Sequence, residues 1–204
     1  MASPHLNELI QRRPELAPCA ASIAEAFTAM RTCFRSGGKA LLCGNGGSAA
    51  DADHWSAELL KGFRRERPLS ATMRKRLPRR VARSLQGGLP AIPLSSFPAL
   101  ASAFANDVSA ELTLAQLVSA LGRKGDVLVA LSTSGRSPNV CIATQTARAR
   151  GMTVIALTGR GGGRLARLAD IAICVPARET HLVQELHLPV YHTLSLMLED
   201  SFFD

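Results

Sequence analysis

His54 and Glu58 stand four residues apart, which puts them on one face of a helix, one turn from each other. An imidazole and a carboxylate so spaced can ligate a divalent metal, supply a general base and its partner, or form a plain surface pair. Near the C-terminus a second set of reactive types occurs: His181, Gln184, Glu185, His187 and His192. Three histidines in one helix are not all ligands. Gln184 and His192 are two turns apart and about 80° around the axis at 3.6 residues per turn, so a shared site needs both side chains to lean inward.

Two further runs suit an anion. In Leu131-Ser132-Thr133-Ser134-Gly135-Arg136-Ser137-Pro138-Asn139 an apolar stretch ends in four hydroxyls, and Pro138 has the fixed φ of a first helical residue. The hydroxyls and backbone N–H groups of 132–137, at the positive end of a helix, can surround a phosphate. The other reading of the run is an ordinary serine-rich cap. The earlier run, Asn45-Gly46-Gly47-Ser48, has glycines that permit positive φ and close ligand approach, and Ser48 can cap the next helix or bind substrate oxygens. Neither a Gly-x-x-x-x-Gly-Lys nor a GxGxxG pattern occurs, which argues against a nucleoside triphosphate or dinucleotide at these turns. Asn106-Asp107 precedes a helical stretch; Asp107 either caps a helix at 108 or holds sugar hydroxyls.

The elements that must position these groups follow from periodicity. Residues 6–36 repeat apolar side chains at helical spacing, with Pro14 and Pro18 dividing them into two helices. Continuous apolar runs at 40–43, 91–94, 127–131, 154–157 and 171–175 are the pattern of strands buried on both faces. Helical stretches lie between and after them at 48–62, 108–121, 138–150 and 180–200. The order is helical arm, then repeated βα. It predicts one α/β domain over 1–204, a three-layer αβα sandwich on a parallel sheet, with ligands bound beyond the carboxyl ends of the strands. Both Gly/Ser turns follow strands, so both fall at that edge.

Composition limits the function classes. The chain has 204 residues, 47% of them hydrophobic, with mean hydropathy +0.10. No apolar run approaches the ~18 residues of a membrane span, and Met1–His5 lacks the pattern of a signal peptide. Five cysteines without a CxxC read as buried reduced thiols of a cytoplasmic protein. The net charge of +8 sits in one segment: residues 64–83 hold nine Arg and Lys and one acid, leaving fifteen of each sign elsewhere. Without an aromatic to stack bases, this segment argues against nucleic acid and reads as a solvated basic insert or a mobile flap over an anionic substrate.

Taken in order, the motifs resemble the SIS-domain (sugar isomerase) family and, within it, the phosphoheptose isomerases. The run CGNGGSAADADHWSAEL is similar to the family's first motif and LSTSGRSPNV to its phosphate loop. GMTVIALTGRGGGRLARLADIAICVP followed by QELHLPVYH is similar to its C-terminal half. The likeness spans residues 20–200, with the His54/Glu58 and Gln184/His192 pairs both present. It implies a flavodoxin-like five-stranded parallel sheet and a homotetramer whose sites lie between subunits. It implies a phosphorylated seven-carbon sugar as substrate, with sedoheptulose 7-phosphate converted to D-glycero-D-manno-heptose 7-phosphate through an enediol. By position, Ser132, Thr133, Ser134 and Ser137 would hold the phosphate, and Asn45, Gly46, Ser48, Asp107 and Gln184 the sugar. Glu58 and His192 would be the acid/base pair, and His54, Glu58, Gln184 and His192 would bind one Zn²⁺ per subunit. Two departures stand out: an insertion over about 64–87, and His181 where the family has a substrate-contacting acid, with Glu179 or Glu185 as substitutes. Two other readings share the resemblance: a non-catalytic SIS-domain regulator that binds a replication initiator or senses a phosphosugar, and an isomerase of a different ketose phosphate.

Overall fold

In the computed structural model, which describes residues 3–203, the five apolar runs form one all-parallel sheet. The strands are β1 (Ala40–Cys43), β2 (Ala91–Pro93), β3 (Val127–Ser132), β4 (Thr153–Thr158) and β5 (Ile171–Cys174), in the spatial order β2-β1-β3-β4-β5. This is the flavodoxin-like order. Its connections reverse direction between β1 and β3, where such sheets bind ligands. Leu42 pairs with Val129 and Cys43 with Ala130, so the two strands end side by side. The turns that follow them, the two Gly/Ser runs, are therefore neighbours.

Each face of the sheet buries its own core. Leu42, Val127, Val129 and Leu131 point to one side, against the arm helices α1 (Pro4–Arg12) and α2 (Ala20–Arg35), and against α3 (Gly47–Leu60) and α10 (Thr180–Phe202). Leu41, Cys43, Leu128 and Ala130 point to the other, against α7 (Thr113–Leu121), α8 (Pro138–Ala149) and α9 (Gly163–Leu168). Between α1 and α2, Pro14–Cys19 is a 3-10 turn with Pro18 inside it, so the two prolines divide the arm as expected. Strand bounds fall within about one residue of the sequence reading, because buried β-branched and leucine runs have one way to be covered on both sides.

The helices differ at two places. Of the helix expected over 108–121, residues 113–121 form α7, while its first residues belong to a π turn over Ala105–Ser109 and a 3-10 turn over Ala110–Leu112, preceded by a helix the sequence reading did not expect, α6 (Pro98–Phe104). Asp107 lies inside the π turn, bonded by Asn106 Nδ2 at 2.9 Å, and so caps no helix at 108. The basic insert folds into α4 (Ala71–Lys75) and α5 (Arg79–Ser84), closed at its base by a bridge between Pro68 and Gln86 and by Gly62 N–H donating to Gln86 Oε1 at 2.7 Å. Its Arg67 is not solvated. It is fully buried and its Nε donates to Glu199 Oε1 of α10 at 2.8 Å.

Among the described residues no helix is long and apolar enough to cross a membrane. All five cysteines are free thiols, four of them buried. Burial pushes Cys43 up to about 12 and, with the Asp126 carboxylate nearby, Cys33 up to about 11, so neither is a thiolate at neutral pH.

Candidate active site

α3 begins where β1 ends, and α10 crosses the same face, so packing of these two helices assembles the site. Trp55 stacks on Tyr191 with ring centroids 5.5 Å apart and planes 19° from parallel, both rings fully buried. That contact fixes the face of α3 carrying residues 51, 54 and 58 against the stretch of α10 carrying 191 and 192. His54 Nε2 is 3.2 Å from Glu58 Oε1, the one-turn pairing the spacing predicted. The other ring nitrogen, Nδ1, meets the Tyr191 hydroxyl at 3.0 Å, and that hydroxyl donates to Asp51 Oδ1 at 3.4 Å. The resulting line of Asp51, Tyr191, His54 and Glu58 orients the imidazole from both sides. Burial, followed by the Asp51 charge, pushes the Tyr191 phenol up, so it stays protonated and remains a donor.

His192 closes the group. Its ring lies edge-on to His54, centroids 5.2 Å apart, and 5.2 Å from Phe63. Burial, then the neighbouring His54, hold its pKa below the ordinary value against the opposing pull of Glu58. The ring is therefore neutral at pH 7. Its Nε2 is buried and has no hydrogen-bond partner. Glu58 is one turn further along, its side chain 13% exposed, with Lys61 Nζ 3.3 Å from Oε2. Gln184, two turns before His192, packs its amide against Gly47, in the space a Cβ there would take.

The two turns form the floor. Asn45 and Asn139 exchange reciprocal amide hydrogen bonds, each 2.9 Å, tying the loop after β1 to the start of α8. Gly46 has φ of 52° and serves as the N-cap of α3. Ser48 is buried and makes no capping hydrogen bond. In the second turn Ser132 Oγ and Ser137 Oγ are 2.9 Å apart, and Ser134 Oγ accepts from Arg136 N–H at 3.2 Å. Ser137 is the N-cap of α8 but caps it with no side-chain bond. The hydroxyls thus pair with one another and stay available to an oxyanion, contrary to the simple-cap reading.

The structure gathers Asn45, Gly46, Ser48, His54, Glu58, Gln184 and His192 around the β1/β3 edge with Ser132, Thr133, Ser134 and Ser137. It does not tie Asp107 to them: that carboxylate is exposed and bonded only to Asn106. His181 is exposed, 3.9 Å from Glu179 Oε2, and Glu185 is exposed. His187 is fully buried, pushed down to about 4 by burial, and belongs to the core. Tyr191, Asp51, Phe63 and Asn139 were missed by sequence reasoning. Asp51 shares the helical face of His54, and Asn139 ends the serine run, so each carried a signal.

The donor types suit zinc: two imidazoles, a carboxylate and an amide, with the buried Nε2 of His192 lacking a partner. As the side chains stand, His54 and Glu58 bind each other, and among the described residues no three His, Cys, Asp or Glu converge on one point.

Comparison with known proteins agrees with this arrangement. SIS domain models match residues 7–86 and 99–199. The phosphoheptose isomerase of Rhodospirillum rubrum is 41% identical over 186 residues, covering 91% of this chain and 89% of that protein. Solved structures of phosphoheptose isomerases from Neisseria gonorrhoeae and Francisella tularensis superpose with TM-scores of 0.77 and 0.78. They share 34% and 33% identity and cover 96% and 95% of this chain, and 95% and 94% of theirs. With likeness at that level running the length of the fold, α3 and α10 included, the chain belongs to the phosphoheptose isomerase family of SIS-domain proteins.

Proposed function

We propose that the chain is a ketose–aldose isomerase that converts sedoheptulose 7-phosphate to D-glycero-D-manno-heptose 7-phosphate, the entry reaction of heptose precursor synthesis. The observation that carries the reading is the Glu58–His54 pair set against the neutral, unpartnered His192 at the same sheet edge as the 132–137 hydroxyls. A regulator that only binds a phosphosugar has no need of that group, and the regulatory alternative is not favoured.

Glu58 is the base. Its carboxylate takes the proton from C1; the C–H electrons form the C1–C2 double bond, and the former carbonyl oxygen O2 receives a proton from His192. The enediol then gives the O1 proton to His192, the C1–O1 double bond forms, and the proton held by Glu58 goes to C2. No atom is gained or lost, and both residues return to their starting states. A neutral imidazole suits the second role because it can donate and accept in turn. Ser132, Thr133, Ser134 and Ser137 hold the phosphate, far from the reacting carbons, so its binding energy serves to position them. Asn45, Gly46, Ser48 and Gln184 line the sugar's path. Asp107, exposed in its π turn, would join them.

His54, Glu58, Gln184 and His192 would hold one Zn²⁺ per subunit, which when bound supplies Lewis-acid polarisation of the carbonyl. A homotetramer with sites between subunits fits the exposure of His54, whose side chain is 45% open to solvent here. Reduced thiols fit the cytoplasm. The test is turnover of sedoheptulose 7-phosphate by the purified protein, with and without chelator. Aldose formation supports the isomerase, and its loss on chelation with recovery on Zn²⁺ supports the metal. No aldose under either condition, from protein that binds the sugar phosphate, refutes the reading.

A further inference from the structure

Beside the phosphate loop, on the flank away from Glu58 and His192, lies a cavity of 760 Å³ walled by Arg136, Arg160, Arg164, Arg167 and Arg178. Thr133 and Ser134 form its shared wall with the phosphate loop, and no acid lines it. Outside the 64–83 segment the chain has fifteen basic and fifteen acidic residues, yet five of those fifteen basic groups converge here. All five arginines are exposed. Arg160 donates to the Pro176 carbonyl at 2.8 Å and Arg167 to the Gly163 carbonyl at 3.1 Å, so both heads are held in place by neutral acceptors and keep their charge. Among the described residues, no ion pair neutralises any of the five.

The wall is rigid as well as charged. Gly161, Gly162 and Gly163 all have positive φ, and the turn they make is bonded to the phosphate loop: Gly159 N–H donates to Thr133 O at 3.0 Å and Leu165 N–H to Gly135 O at 2.9 Å. A Cβ on Gly135 would strike the Gly162 carbonyl, so the two loops touch. Strand order sets the direction. The loop after β3 has β1 and α3 on one side, with the acid/base group, and β4 and α9 on the other, with the arginines. The arginine cavity therefore adjoins the phosphate loop on its β4 side and shares Thr133 and Ser134 with it.

We infer that this cavity is a second anion site, for a small molecule carrying a di- or triphosphate chain. Five guanidiniums exceed the charge of one phosphate monoester and match a chain of them, and arginine forks bind phosphate oxygens two at a time. The volume lies within the ~300–1,000 Å³ of small-molecule sites. No aromatic side chain lines it, so the phosphate chain is recognised and a nucleobase is not stacked. The five arginines have no part in the isomerase reading, which the site meets only at Thr133 and Ser134.

The test is calorimetric titration of the full-length protein with tripolyphosphate, and separately with ATP, at about physiological salt. Saturable binding of tripolyphosphate is expected, weakened about tenfold or more by Arg164→Ala and again by Arg178→Ala, as for loss of a charge-assisted hydrogen bond. Turnover of sedoheptulose 7-phosphate by these variants should stay near that of the parent. Equal affinity for ATP supports recognition of the phosphate chain alone, and markedly tighter ATP binding would contradict it, since no side chain here stacks a base. Absence of saturable binding, binding unchanged in the double variant, or competitive displacement by sedoheptulose 7-phosphate would overturn the inference.

Discussion

Replacing Arg67 by methionine removes a cation from the deepest polar contact between the insert and the body of the fold. The arginine and Glu199 have side chains 0% and 1% exposed. The guanidinium donates from Nε to Glu199 at 2.8 Å, from Nη1 to Leu59 O at 2.8 Å and from Nη2 to Glu58 O at 3.1 Å, and lies 4.8 Å over the Phe203 ring. Arg67 thus caps the C-terminal end of α3, the helix that carries Glu58. Breaking a buried ion pair on one side costs roughly 3–5 kcal/mol. Here the loss falls towards the lower figure. Glu199 keeps the backbone N–H groups of Phe63, Arg64 and Arg65 at 2.9, 2.9 and 3.1 Å, and Leu59 O keeps Leu89 N–H at 2.9 Å. Glu58 O is left with no replacement, since the Gly62 N–H that would reach it in a longer helix goes to Gln86. About 3 kcal/mol, at roughly 2–4 °C per kcal/mol for a chain of this size, lowers the melting temperature by about 6–12 °C. Thermal denaturation at fixed protein concentration measures it. Arg67→Met/Glu199→Gln should recover part of the loss, because no buried charge is then left alone and the amide oxygen still accepts from the 63–65 N–H groups. A loss below about 1 kcal/mol for Arg67→Met, with no recovery in the double variant, would refute the reasoning.

Other outcomes follow from the same geometry. Burial alone would raise the Glu199 carboxyl, but the N–H groups of Phe63 and Arg64 and the Arg67 guanidinium outweigh it and hold it below the usual range. The stabilisation is therefore complete above the unfolded value of about 4.3 and is lost as pH falls through the lower folded value; Glu199→Gln should flatten that acid limb in denaturation curves. Glu58→Gln should lower kcat by about 10²–10⁴, with stability little changed, and steady-state kinetics will show near-full turnover if Glu58 is not the base. Because His192 sits below its ordinary pKa of about 6.5, kcat/KM should fall only on the acid side of that value; a limb above it would contradict a neutral imidazole at work. Tyr191→Phe keeps the Trp55 stack and removes the bond to His54. Activity should fall while melting temperature moves by about the 0.5–1.5 kcal/mol of one hydrogen bond.

The strands were legible because each is a closed apolar run, and such a run admits no other burial than a covered parallel sheet. The His54/Glu58 pair was legible because its partners lie within one helical turn. What escaped the sequence depends on distance or on missing periodicity. Arg67 is one of nine basic residues in its segment, and only its approach to Glu199, 132 positions away, sets it apart. The helices α4 and α5 bury no residue, so they print no apolar stripe. The 98–112 stretch is rich in alanine and serine with its apolar residues out of register, so α6 went unexpected and residues 108–112, expected as the start of a regular helix, lie in π and 3-10 turns. Gln184 and His192 are too far around α10 to predict as one site. The structure shows them on different neighbours, Gly47 and His54.

The most direct test of proton transfer by Glu58 is turnover of sedoheptulose 7-phosphate in D₂O, reading the product by NMR. An enediol formed by a carboxylate that exchanges with solvent predicts deuterium at C2 of the aldose and at C1 of recovered ketose, with both lost in Glu58→Gln. Aldose formed by Glu58→Gln at an undiminished rate, with deuterium still entering C2, would contradict the role given to Glu58.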